Sequence, residues 1–120
     1  MALLFLAPAC RSFAQVRISR VYGGGGSTIS KYQRDYIEIY NSSCDAVNIG
    51  GWALEYGSAT GAWGFSTANI FTFPSGTIIQ PKKYLSVVCG AVGSAGTQVP
   101  TTDFATTTSG FSMSATSGKV

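Results

Sequence analysis

From Gln15 onward the apolar positions fall in short runs separated by turn residues, and none of them repeats with a helical period. Val16-Arg17-Ile18-Ser19-Arg20-Val21-Tyr22 alternates apolar and polar, which predicts a half-buried strand. Gly23 to Gly26 break it. Tyr36-Ile37-Glu38-Ile39-Tyr40 alternates again, with Ile37 and Ile39 on one face and Glu38 on the other. Asn41 to Asp45 is a turn cluster, followed by Val47 and Ile49, then Gly50-Gly51 and a strand over Trp52 to Tyr56. Further strands are predicted at Ile70 to Phe73 and Thr77 to Ile79, around the Pro74-Ser75-Gly76 turn. Tyr84 to Cys89 is the most continuously apolar run and reads as a central strand covered on both sides. Gly90 to Thr102 reads as loop. Phe111 to Met113 reads as a short edge element, and Ser117 to Val120 as the opening of a strand. Short strands with turns between them predict one all-β sandwich or barrel over 15–120.

Composition agrees with sheet. The 120 residues include 15 Gly, and only 11% are charged against 45% apolar, so the chain can build a core and is not of the disordered type. The segment 1–14 has a different character. Ala2 to Ala9 is apolar but far shorter than the ~20 residues of a membrane span. Ser12-Phe13-Ala14 before Gln15 resembles a small-x-small cleavage site, so 1–14 reads as a signal-peptide remnant and the chain as exported. Cys44 and Cys89 are then candidates for one disulfide, the alternative being two separately buried thiols.

The chemical inventory is thin. The chain has no histidine, which removes the commonest general base, and its carboxylates are Asp35, Glu38, Asp45, Glu55 and Asp103. Asp35 and Glu38, three apart in a strand, face opposite sides. The reading is therefore non-enzymatic, with no cofactor and no metal site. The net charge of +3 is spread without a basic run, which gives nucleic-acid binding weak support; Arg17, Arg20, Arg34, Lys82 and Lys83 would carry it. Gly23 to Gly26 lack the Lys-Ser/Thr partner of a phosphate-binding loop and read as a flexible turn. Trp52 is expected in the core with Ile37, Ile39, Leu85 and Val87. Trp63, Tyr56 and Tyr36 are the candidate ligand contacts; a Trp63 folded back over the core is the competing expectation.

Several segments together carry a family resemblance. They are Val16 to Gly26, Asp35-Tyr36-Ile37-Glu38-Ile39-Tyr40-Asn41, Val47 to Leu54 with its Gly51-Trp52 dipeptide, Phe73-Pro74-Ser75-Gly76-Thr77-Ile78-Ile79-Gln80-Pro81 with Tyr84-Leu85, and Met113 to Val120. In combination they resemble a lamin-tail domain of the bacterial type over 15–120. The resemblance implies an immunoglobulin-like β-sandwich with no catalytic centre of its own, and an exported structural or interaction module that tethers or positions a larger secreted or surface protein. Its partner would be a protein or a cell-surface glycan. The alternatives are a carbohydrate-binding module, or an accessory DNA-binding module beside a secreted nuclease. The family pattern would continue through a last strand beyond Val120. No heptad rod precedes the segment, which speaks against a nuclear-envelope role.

Overall fold

The structure, a computed structural model, describes residues 15–63, 66–106 and 111–120. The expected signal segment 1–14 lies outside the described residues. Eight strands are present among them: β1 Val16–Tyr22, β2 Asp35–Asn41, β3 Val47–Asn48, β4 Ala53–Glu55, β5 Ile70–Thr72, β6 Ile78–Ile79, β7 Tyr84–Cys89 and β8 Phe104–Ala105. Among the described residues one 3-10 turn, Thr67–Asn69, is capped by the Ser66 side chain.

One layer is a four-stranded sheet in the order β1-β2-β7-β8. β2 pairs antiparallel with both β1 and β7, and β8 joins β7 in parallel. The facing layer is built from two antiparallel pairs, β3 with β6 and β4 with β5. Ile37, Ile39 and Val87 from the large sheet meet Ile49, Leu54, Phe73 and Ile79 from the facing layer in one buried cluster, while Leu85 packs against it partly buried. This is the all-β sandwich that the short strands and turns predict, and it is consistent with the immunoglobulin-like form that the resemblance implies.

Three elements differ from the sequence expectation. Trp52 is not in the core: its side chain is 49% exposed. Residues 49–52 form a turn, with the Trp52 N–H donating to Ile49 O and Gly51 at φ +84, so β4 begins one residue later and sends Leu54 inward. The large side chains of the core are instead Phe73 and Phe111, buried together with Ile49. Phe111 and Met113 form no strand, yet both are buried and plug the core. β8 arises in a stretch that carried no strand signal. It is held by reciprocal bonds: the Asp103 N–H donates to Ser86 O, and the Ser86 N–H donates to the Asp103 carboxylate at 2.7 Å.

The cysteines also differ. Cys44 is disulfide-bonded, but Cys89 is a free, buried thiol, so the Cys44–Cys89 bridge is not formed. The reason is strand register. Cys89 lies opposite Asp35 at the start of β2, whereas Cys44 sits in the turn just after Asn41 at its other end. Seven residues of strand separate them by roughly 20 Å, far beyond the ~7 Å limit for Cα atoms in a disulfide. Burial, then the charge of Asp35, pushes the Cys89 thiol up to about 12. We expect Cys89 to resist alkylation in the native chain and to react on unfolding, with Cys44 reacting only after reduction. Peptide mapping that finds Cys89 labelled in the native state would contradict its burial.

Candidate functional site

The buried polar groups are spent on holding the fold. Asp35, at the inward end of β2, accepts the N–H groups of Gly25 and Met113 on its two carboxylate oxygens at 2.6 Å each, tying the Gly-rich loop to the C-terminal segment. That explains the glycines without a phosphate: a Cβ on Gly25 would sit 2.2 Å from the Arg34 carbonyl carbon. Burial raises the Asp35 carboxyl above its ordinary 3.8, outweighing the donated hydrogen bonds that lower it. A carboxyl whose folded value is raised favours the folded state while protonated, and that contribution is lost as pH rises from about 3.8 through the folded value. In urea titrations, the stability deficit of Asp35→Asn relative to wild type is therefore expected to shrink with rising pH. A deficit that grows instead would reverse the sign assigned to Asp35.

Asn41, fully buried, is the second such anchor. Its Nδ2 donates to the carbonyls of Asp45, Ile79 and Gln80, and its Oδ1 accepts from the Ser43 N–H and hydroxyl. Glu38 points to the opposite face from Asp35, so the register brings no carboxylate pair together there. Among the described residues no group of three or more His, Cys, Asp or Glu could hold a metal ion. Two of the five basic residues considered for nucleic acid are engaged with backbone: Arg34 donates to the carbonyls of Cys89 and Thr106, and Lys82 to that of Ser42.

The proposed ligand contacts are not brought together. Tyr36 is buried on the outer face of β2, stacked on Tyr22 at 5.5 Å and edge-on to Tyr32 at 5.6 Å. Tyr56 is half-buried against Phe111, and its hydroxyl accepts the Ser114 N–H. Trp63 is 51% exposed, with Lys119 Nζ 5.3 Å from its ring centre. Lys119 exchanges backbone bonds with Gly57, so Trp63 and Tyr56 share one end of the molecule and Tyr36 does not join them.

Sequence reasoning missed the open flank along β1. The β1–β2 register slips at Ser19, between Ile18 and Arg20. Ile18 then lies opposite Ile39 and Val21 opposite Ile37, so both side chains face inward. The facing layer does not cover them: Ile18 is 41% and Val21 46% exposed. They line a groove of about 470 Å³ with Tyr56, Met113, Lys119 and Val120, and Ile18 also lines a smaller hollow of about 120 Å³ beside Trp52, Leu54 and Phe73. Strict alternation would have placed Val21 on the outer face; only the bulge assembles this strip. The outer face of the same sheet is polar and aromatic. Tyr40 and Tyr84 pair at 4.5 Å with the Arg17 guanidinium 5.5 Å from the Tyr40 ring. Arg20 is pushed above its ordinary value by Tyr36 first and then by Glu38.

Among the described residues no helix is long and apolar enough to cross a membrane. Searches of curated proteins and of solved structures found no match. Against protein families, the Lamin Tail Domain matches residues 11–118, nearly the whole chain, and the all-β architecture is the one that family adopts. The chain belongs to the lamin tail domain family, whose members are immunoglobulin-like structural domains and generally non-catalytic.

Proposed function

We propose that this chain is a non-catalytic interaction module of an exported protein, one that tethers or positions a larger secreted or surface protein. The observation that carries the reading is the family match over residues 11–118 to a structural domain, and large apolar side chains that stay exposed, Trp52 and Trp63 among them, are consistent with it. Exposed apolar surface of this kind is costly in water and is commonly retained for binding. Export is supported by the apolar run Ala2 to Ala9 and by Ser12-Phe13-Ala14 before Gln15. The absence of histidine and the structural use of Asp35 support a non-catalytic role. Fused to a secreted reporter enzyme, the chain is expected to retain the reporter on the cell surface. Equal release of the fused and the free reporter would overturn the tethering role. Turnover of a phosphodiester, ester or glycoside by the purified chain, abolished by Glu38→Gln, would overturn the non-catalytic one.

A second reading, a glycan contact, is favoured by Trp63, whose exposed ring beside Lys119 is suited to stacking on a sugar. It predicts that Trp63→Ala loses binding to an insoluble glycan; undiminished binding would remove it.

A further inference from the structure

We infer that the outer face of the large sheet carries a binding cleft for a neutral, hexose-based polysaccharide, with Ser86 and Glu38 as its floor and Tyr84 as its stacking platform. The strand register lays outward side chains in cross-strand rows. Arg17, Tyr40 and Tyr84 stand opposite one another, and Arg20, Glu38 and Ser86 form the next such row. The rows are two residues apart along β2, about 7 Å. Over the second row lies a hollow of about 180 Å³, walled by Tyr32 and Tyr36 and by the Val99-Pro100-Thr101 loop. No residue of 111–120 lines it.

Ser86 is the residue that points to a ligand. It is only 6% exposed and its N–H donates to the Asp103 carboxylate, yet its hydroxyl has no hydrogen-bond partner among the described residues. A buried hydroxyl left without a partner is costly, and groups in such places are normally satisfied. The Glu38 carboxylate, directly across from it, likewise accepts no hydrogen bond among the described residues. The floor therefore calls for a ligand rich in hydroxyls, which both donate and accept. Arg20 is occupied with Tyr36 and offsets the Glu38 charge, so the cleft has no net charge to draw an anion. Its volume lies below the ~300 Å³ at which pockets for drug-sized ligands begin, so it admits a single ring. In the neighbouring row Tyr84 is 54% exposed, backed by Tyr40 at 4.5 Å, which the Arg17 guanidinium overlies in turn. A pyranose offers an apolar C–H face to such a ring and hydroxyls to such a floor, and two linked pyranoses reach both rows. An anionic ligand would meet Glu38 at close range. The inference gives the interaction module a ligand and rests on that reading; it shares no residue with the Trp63 reading.

The test is isothermal titration calorimetry of the purified chain with cellohexaose, laminarihexaose, mannohexaose and, as the anionic control, hexagalacturonate. At least one neutral hexasaccharide is expected to bind, and hexagalacturonate to bind about tenfold or more weaker. Tyr84→Ala should weaken the neutral sugar about tenfold. Ser86→Ala should weaken it about fivefold with an unchanged melting temperature, because the hydroxyl makes no bond within the fold. A merely structural serine would do the reverse. Glu38→Gln should admit hexagalacturonate, a gain that misfolding cannot produce. Trp63→Ala should leave binding as it is. Failure of all three neutral sugars to bind, equal binding of hexagalacturonate, binding that survives Tyr84→Ala, or a loss caused by Trp63→Ala alone would each overturn the inference. A chain that retains the surface reporter yet binds no hexasaccharide overturns it while leaving the module reading in place.

Discussion

Replacing Asn41 with alanine is expected to cost on the order of 3–5 kcal/mol, because several buried groups lose their partner together and each such loss costs roughly 1–3 kcal/mol. The Asn41 amide reaches the carbonyls of Asp45 at 2.7 Å, Ile79 at 3.0 Å and Gln80 at 3.2 Å, and its oxygen receives the Ser43 N–H at 2.9 Å. One side chain thus joins the end of β2 to the turn that follows it and to the end of β6. A domain of this size has only about 5–15 kcal/mol of stability in total, so the variant is expected near the threshold of folding. Asn41→Asp separates chemistry from shape. It is isosteric, yet it turns an acceptor towards three carbonyls, and it should destabilise at least as much as Asn41→Ala. Chemical denaturation that finds Asn41→Asp close to wild type would show that the position needs only volume.

Phe111→Ala is expected to cost about 3–5 kcal/mol, the range for deleting a buried aromatic side chain, and Trp52→Ala only about 1–2 kcal/mol, since half of its ring already lies in water. Phe111 is 1% exposed and packs in the central cluster with Met113 and beside Tyr56. Its backbone is left-handed, with φ 62, a conformation that costs an L-residue with a Cβ about 1–2 kcal/mol. Burial of the ring holds it there. Phe111→Gly, which loses the ring but relieves the backbone, should therefore be no worse than Phe111→Ala. Thermal melts in which Trp52→Ala is the more damaging of the two would put the tryptophan back in the core.

Much of the architecture was legible in the chain. The alternations in Val16 to Tyr22 and Tyr36 to Tyr40 became β1 and β2, and the apolar run Tyr84 to Cys89 became the inner strand β7, because half-buried and doubly covered strands each impose a local periodicity. Glycine and proline marked the turns around Gly51 and Pro74-Ser75-Gly76 for equally local reasons. The anchors were visible only as turn formers or lone acids. Asp35 and Asn41 take their roles from Gly25, Met113 and Ile79, partners 10, 78 and 38 residues away.

The candidate site was the least legible part. A side-chain period of two cannot announce a bulge: strict alternation from Ile18 turns Val21 outward, whereas the register turns it in beside Ile18. Cys44 and Cys89 looked like a pair on composition, yet antiparallel pairing of β2 with β7 sets them at opposite ends of the sheet. Trp52 looked like core on hydrophobicity, and a tight turn one residue before β4 carried it to the rim. Local pattern thus dictated which segments become strands and that two sheets must close on an apolar interior. Long-range pairing alone decided which face each strand shows, which buried atoms satisfy one another, and where the interior stays open, since these depend on partners that no local stretch of chain contains.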